Sequence, residues 1–111
     1  MTDKIVVLST CASEEEAERL ARHLVDARLA ACVNVVPRMR SFYHWKGAVE
    51  TAEECLLIIK SSRPLMEALR LELEKVHPYE IPEVLALPIV EGSESYLGWL
   101  AANLRPASGE E

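Results

Sequence analysis

Two patterns of hydrophobic and polar residues follow each other along the chain, one typical of strands and one typical of helices. Residues 5–8 form the continuous apolar run Ile-Val-Val-Leu, which predicts a central strand buried on both faces. Ser13 and Glu16 have the spacing of a capping box, and apolar residues then recur at helical spacing up to about Leu29. The chain is therefore predicted to begin with a buried strand followed by an amphipathic helix.

A long hairpin is predicted in the middle of the chain. Its first strand covers residues 32–45 and is interrupted by Pro37, and its second strand covers residues 48–60. Gly47 tolerates a positive φ, so it allows a tight turn between the two strands.

The predicted hairpin is too long for a small globular domain. Fourteen strand residues at about 3.3 Å each span roughly 45 Å. A compact domain of this size has a diameter of only roughly 34 Å. The projecting tip carries Phe42, Tyr43 and Trp45, and exposed aromatic strands are prone to associate. We therefore expect another subunit to cover the tip by strand addition, the alternative being a solvent-exposed hairpin with a bulge.

The second half of the chain predicts two further helices and one strand. Pro64 suits the first position of a helix that ends near Val76, residues 83–89 form a fourth strand, and Ser93 caps a last helix. The resulting order predicts an α+β fold. We expect a ferredoxin-like βαββαβ antiparallel sheet with two helices on one face, and an extra C-terminal helix.

The length, charge and cysteine content of the chain limit what kind of protein it is and what it binds. The 111 residues, half of them hydrophobic, predict one domain over residues 1–105 and a flexible tail over residues 106–111. A net charge of −6 argues against nucleic acid and anionic membranes as partners. Three scattered cysteines do not form a disulfide framework, and no signal-peptide pattern precedes the first strand. A cytoplasmic location is the simplest interpretation.

The most distinctive segment is residues 77–83, His-Pro-Tyr-Glu-Ile-Pro-Glu, which we call the elbow. Its two prolines restrict their own φ and the conformation of the residues before them. An imidazole, a phenol and two carboxylates are thereby held on a rigid connector, as in a binding site. His77 either binds a ligand or only closes the preceding helix.

Five segments together carry a resemblance to a known family. They are residues 29–37, 41–47 and 53–60, the elbow, and residues 96–100. In combination they resemble the CutA-type divalent-cation tolerance proteins. The resemblance implies a non-enzymatic, cytoplasmic homotrimer linked to tolerance of divalent metals, copper above all. The architecture is similar to that of the PII signalling proteins, which implies as an alternative a sensor that binds a small anion between subunits.

The resemblance also directs attention to copper or another divalent cation as a ligand. Family members with the proposed copper site carry a cysteine at the position of Ser9 and a second histidine at the position of Val76, so only His77 of that set is present. Copper prefers imidazole and sulfur, which makes His77, Cys32 and Cys11 the candidate metal ligands. Cys11 would lie on the same strand face as Ser9. Each cysteine is alternatively a small buried hydrophobic residue.

A ligand cleft near the elbow is the second candidate site. Its predicted lining is Tyr43, Trp45, Lys60, Tyr79 and Glu83. Lys60 could hold a carboxylate or phosphate as a point charge, or it could be a solvated strand end.

The acidic residues of the hairpin and the loop after the first strand further limit the possible functions. Glu50, Glu53 and Glu54 are interpreted as a solvated acidic face that binds divalent cations loosely. Residues 9–16 contain three acids and no Gly or Arg, which argues against the phosphate-cradling loop of an acylphosphatase. His23 is interpreted as solvated.

Overall fold

The computed structural model describes residues 2–107. The elements are β1 (Lys4–Cys11), α1 (Glu14–Asp26), β2 (Cys32–Trp45), β3 (Ala48–Ser62), a 3₁₀ turn (Arg63–Leu65), α2 (Met66–Val76), β4 (Leu85–Pro88) and α3 (Glu94–Ala102). The predicted α+β class and the predicted order of elements are confirmed.

One four-stranded antiparallel sheet organises the domain. The strand order is β2-β3-β1-β4, which is the ferredoxin-like arrangement of two split βαβ units. Helices α1 and α2 pack on one face of this sheet, called here the covered face. Ile5, Val7, Leu57 and Ile59 point into the core on that face and are at most 4% exposed.

In the described part of the chain, neither α1 nor α2 covers the other face of the sheet, called here the open face. Val6 and Leu8 alternate with the buried residues of β1, and each is only partly buried. Leu85 and Leu87, which pair with Leu8 and Val6, are 56% and 48% exposed. The prediction that β1 is buried on both faces is therefore wrong for the single chain, because both sheet-packing helices lie on the same side.

The hairpin is as long as the sequence predicts. β3 pairs with β1 only from Cys55 onward. The first part of β3, up to Glu54, and the last part of β2, from Met39, therefore continue as a two-stranded ribbon. The longest dimension of the domain is 46 Å. A shift in register between Val36 and Met39 marks the interruption predicted at Pro37, and Arg38 adopts a positive φ of 59° there.

Several predicted boundaries change by a few residues. α1 ends at Asp26 rather than near Leu29, because Arg28 takes a φ of 57° and terminates the helix. Pro64 lies in the 3₁₀ turn that precedes α2 rather than in α2 itself. The fourth strand has four residues rather than the seven predicted over 83–89, since only Leu85–Pro88 pairs with β1.

Polar contacts connect the helices on the covered face. His23 Nε2 lies 2.6 Å from a carboxylate oxygen of Glu72, so the interpretation of His23 as simply solvated is wrong. This hydrogen bond is the main reason why the pKa of the Glu72 carboxyl is below its ordinary value. Beyond α3, Ala107 packs against the core, and residues 108–111 of the predicted tail lie outside the described residues. In the described part of the chain, no helix has the length and hydropathy to span a membrane.

The tight turn of the hairpin generates a stability prediction. Gly47 has a φ of +85°, which a residue with a Cβ adopts at a cost of about 1–2 kcal/mol. Gly47→Ala should lower the free energy of unfolding by that amount in guanidinium titrations at fixed protein concentration. Gly98→Ala is the matched control, because its Cβ would enter open space within α3 and favour the helix. Equal effects of the two substitutions would contradict the proposed role of the turn.

Candidate functional site

The elbow is attached to the sheet by the side chain of His77. Helix α2 ends at Val76, and the His77 ring, 6% exposed, lies against the end of β1. Its Nε2–H donates to the carbonyl of Thr10 at 2.7 Å, and its Nδ1 accepts from the Tyr79 backbone N–H at 3.1 Å. Both ring nitrogens are therefore used by the backbone, which suits a neutral imidazole in a structural role.

Tyr79 attaches the elbow to the base of the ribbon. Its hydroxyl donates a hydrogen bond of 2.6 Å to a carboxylate oxygen of Glu54 on β3. Burial, and then this bond to a carboxylate, raise the pKa of Tyr79 above its ordinary value, so the phenol remains a donor at neutral pH. Glu54 is only 9% exposed, so its assignment to a solvated acidic face is wrong.

A groove runs between the ribbon and the elbow, and we call it the aromatic groove. Its volume is about 540 Å³. Its lining includes four aromatic and three acidic residues: Phe42, Tyr43, Trp45, Tyr79, Glu54, Glu80 and Glu83. The remaining lining residues are Thr10, Ser41, Ile81 and Pro82. The groove is therefore both aromatic and acidic.

Four of the five predicted cleft residues line this groove, and the fifth does not. Tyr43, Trp45, Tyr79 and Glu83 are in its lining, whereas Lys60 is not. Lys60 lies six residues of β3, about 20 Å, beyond Glu54 and twelve residues, about 40 Å, from the tip of the ribbon at Ala48. Lys60 Nζ instead donates to Asn34 at 2.7 Å and lies 5.8 Å from the centre of the Tyr96 ring.

The three predicted metal ligands do not converge. Cys11 pairs with Cys55 and Cys32 pairs with Lys60, which places the two thiols about 17 Å apart along the sheet and on opposite faces. Burial and the neighbouring Cys55 raise the pKa of the Cys11 thiol to about 11, which disfavours the thiolate that binds metal. His77 bonds to the carbonyl of Thr10, the residue before Cys11, and both of its ring nitrogens are used within the fold.

The surroundings of these residues do not complete a metal site. Ser9 is fully buried on the covered face, and its hydroxyl has no hydrogen-bond partner among the described residues. Within residues 2–107, no group of three or more His, Cys, Asp and Glu side chains has the geometry to hold a metal ion. Cys32 is half-buried rather than a core residue, whereas Cys11 and Cys55 are buried as the alternative interpretation expected.

The sequence did not predict that Glu54 accepts a hydrogen bond from Tyr79. It also did not predict that Ser41 and Phe42 line the groove together with the elbow. Strand alternation could have indicated the side of the sheet, because Glu54 shares the open face with Leu56 and Ile58. The burial of Glu54 could not be inferred in the same way, since it depends on how the elbow folds back over β3.

The fold and the groove define a class of small ferredoxin-like α+β proteins with a projecting hairpin. The family model described as CutA1 divalent ion tolerance protein matches residues 5–103. A divalent-cation tolerance protein CutA of Thermus thermophilus is 47% identical over 98 residues, which cover 88% of this chain and 95% of the relative. One from Pectobacterium atrosepticum is 43% identical, covering 95% of this chain and 96% of the relative. The chain therefore belongs to the CutA1 divalent ion tolerance family.

Solved structures agree with this assignment. The divalent cation tolerance protein from Thermus thermophilus superposes with a TM-score of 0.89 at 45% identity, over 92% of this chain and 99% of that chain. CutA1 from Oryza sativa gives a TM-score of 0.92 at 44% identity, over 94% and 95% of the two chains.

The bond between Tyr79 and Glu54 generates a second stability prediction. Tyr79→Phe leaves a buried carboxylate without its donor, so the free energy of unfolding should fall by about 1–3 kcal/mol. Tyr96→Phe is the matched control, because that side chain is 44% exposed and its loss of a hydroxyl should cost less than about 0.5 kcal/mol. Guanidinium titrations of both variants would measure the difference. A Tyr79→Phe variant as stable as wild type would show that the bond does not hold the elbow.

Proposed function

We propose that this protein works as a homotrimer in the cellular response to divalent cations, copper included, without catalysing a reaction. Membership of the CutA1 family supports the link to divalent cations. The observation that carries the proposal of assembly is the apolar open face, which leaves large side chains unprotected in a single chain.

The open face has the properties of an interface between copies. Val36, Leu85 and Leu87 are 42%, 56% and 48% exposed, and their direct partners on the neighbouring strands are Leu56, Leu8 and Val6. On its opposite face, the projecting ribbon exposes Phe42 at 63% and Val49 at 63%. Contiguous apolar surface and unpaired strand edges favour association in water. The number three comes from the family resemblance, whereas the geometry supports assembly in general.

Weak metal binding fits the described residues better than a dedicated metal centre. Exposed carboxylates such as Glu50 and Glu53 on the ribbon can attract hard divalent cations. Two such carboxylates supply fewer oxygen atoms than the six or more that a calcium-like site needs, so this binding is weak. Copper would need nitrogen or sulfur ligands, and His77 and Cys11 are committed to the fold. We therefore propose that metal tolerance arises from assembly and weak surface binding.

The alternative, a PII-like sensor of a small anion in a cleft between subunits, has less support. The groove that contains most of the predicted cleft residues carries three carboxylates, which repel an anion. Lys60, the cation assigned to that anion, lies six residues, or about 20 Å, along β3 from Glu54, which is the groove residue on the same strand.

A cytoplasmic location is part of the same proposal. It is supported by Cys11 and Cys55, which lie opposite each other on neighbouring strands and are free thiols, as a reducing compartment favours. Fractionation of cells that produce the untagged protein would test the location.

Complementation tests the proposed role in cells. A bacterial strain made copper-sensitive by deletion of its own CutA gene should regain copper tolerance when it expresses this protein. Growth that stays as sensitive as in the empty-vector strain, with the protein soluble and assembled, would overturn the proposal.

Assembly through the open face generates a prediction with a matched control. Leu87→Glu should dissociate the trimer in sedimentation velocity at micromolar concentration, because it places a charge in the apolar surface of β4. Leu71→Glu introduces the same change at a leucine that is 53% exposed on α2, and it should leave the trimer intact. A wild-type protein that sediments as a monomer would refute the assembly itself.

The metal proposal predicts the effect of removing His77. In calorimetric titrations, His77→Ala should bind Cu²⁺ as weakly as wild type does, through surface carboxylates. The reason is that the imidazole nitrogens of the wild type already bond to Thr10 and Tyr79. The variant should nevertheless unfold more easily, by about 1–3 kcal/mol, since a buried carbonyl loses its donor. A saturable Cu²⁺ site that disappears in a folded His77→Ala variant would contradict this prediction.

A further inference from the structure

The aromatic groove contains a buried negative charge that the described residues do not neutralise. Glu54 is 91% removed from solvent, and within residues 2–107 the one hydrogen bond to its side chain comes from the neutral hydroxyl of Tyr79. Among the ion pairs within residues 2–107, none includes Glu54. Burying a carboxylate without a cationic partner is costly, so the position favours a cation that comes from outside the chain.

The walls of the groove have the chemistry that recognises organic cations. Tyr43, Trp45 and Tyr79 present ring surfaces, and ring faces attract ammonium and guanidinium groups. Rings of the ribbon already attract cations from within the chain. Lys46 Nζ lies 5.9 Å from the centre of the Trp45 ring, and the Arg40 guanidinium lies 5.6 Å from the centre of the Phe42 ring.

The negative charge of the groove favours a positively charged ligand. Glu80 and Glu83 from the elbow add two carboxylates to that of Glu54, and in the described part of the chain the lining includes no lysine, arginine or histidine. The whole chain has a net charge of −6, which strengthens the attraction for cations over a longer range.

We propose that the aromatic groove binds a small aliphatic polyamine. One ammonium group pairs with Glu54, a second pairs with the carboxylates of the elbow, and the methylene chain lies on the rings of Tyr43 and Trp45. The volume of about 540 Å³ is in the range of small-molecule sites. A hydrated inorganic cation would leave the apolar ring surfaces unused, whereas an alkyl chain with charged ends uses both properties of the groove. The inference does not depend on metal binding.

Calorimetry with spermidine on the assembled, untagged protein tests the inference. Wild type should give saturable binding near physiological ionic strength, and citrate should give none. Glu54→Gln should weaken spermidine binding by about tenfold or more, because it removes the buried charge but keeps an oxygen for the Tyr79 hydroxyl. Glu53→Gln is the matched control, since it removes an equal charge from the exposed neighbour that points to the other face of the ribbon, and it should change the affinity by less than about twofold.

Further variants and outcomes keep the test decisive. Glu83→Gln, at a less buried position of the groove, should also weaken binding and serves if Glu54→Gln fails to fold. Three results would overturn the inference. These are the absence of saturable binding to wild type, an equal loss of affinity in Glu53→Gln and Glu54→Gln, and a change of sedimentation in Glu54→Gln without spermidine, which would show that a second copy of the chain supplies the cation.

Discussion

The difference in length between β3 and its inner neighbour β1 is the constraint on which the rest of the molecule depends. β3 has fifteen residues and β1 has eight, so about half of β3 has a partner on one edge only, the edge that pairs with β2. A two-stranded ribbon is marginally stable by itself in water. It therefore needs support from outside the sheet, and the described residues provide that support only at its base, where the elbow folds back and Tyr79 binds Glu54.

The polar residues of the elbow, which look most like ligands in the sequence, are largely occupied in holding this support. His77 bridges from the end of α2 to Thr10 at the end of β1, and it also positions the backbone of Tyr79. Tyr79 then reaches across to β3. Each group is satisfied by a specific partner, as buried polar groups generally are, and this explains why an imidazole and a phenol so close together need not form a metal centre.

The electrostatic consequence of this arrangement is an acidic groove bordered by rings. Because the elbow brings Glu80 and Glu83 against a ribbon that carries Glu54, charge of one sign accumulates beside exposed aromatic surface. The lysine that could have balanced it lies at the other end of the same strand and bonds to Asn34. Family membership is thus compatible with an attraction for cations in general, of which metal ions are one class.

Local features of this protein are determined by the sequence itself, because they depend on residues close together in the chain. The tight turn at Gly47, the irregularity at Pro37, the end of α2 before the elbow and the excessive length of the hairpin all follow from near neighbours. Tertiary structure decided which face of β1 is covered, how deeply Glu54 is buried and how far Lys60 lies from the groove. These properties depend on strand register and on the path of the elbow across the sheet, and a one-residue change of register would move every side chain of a strand to the opposite face.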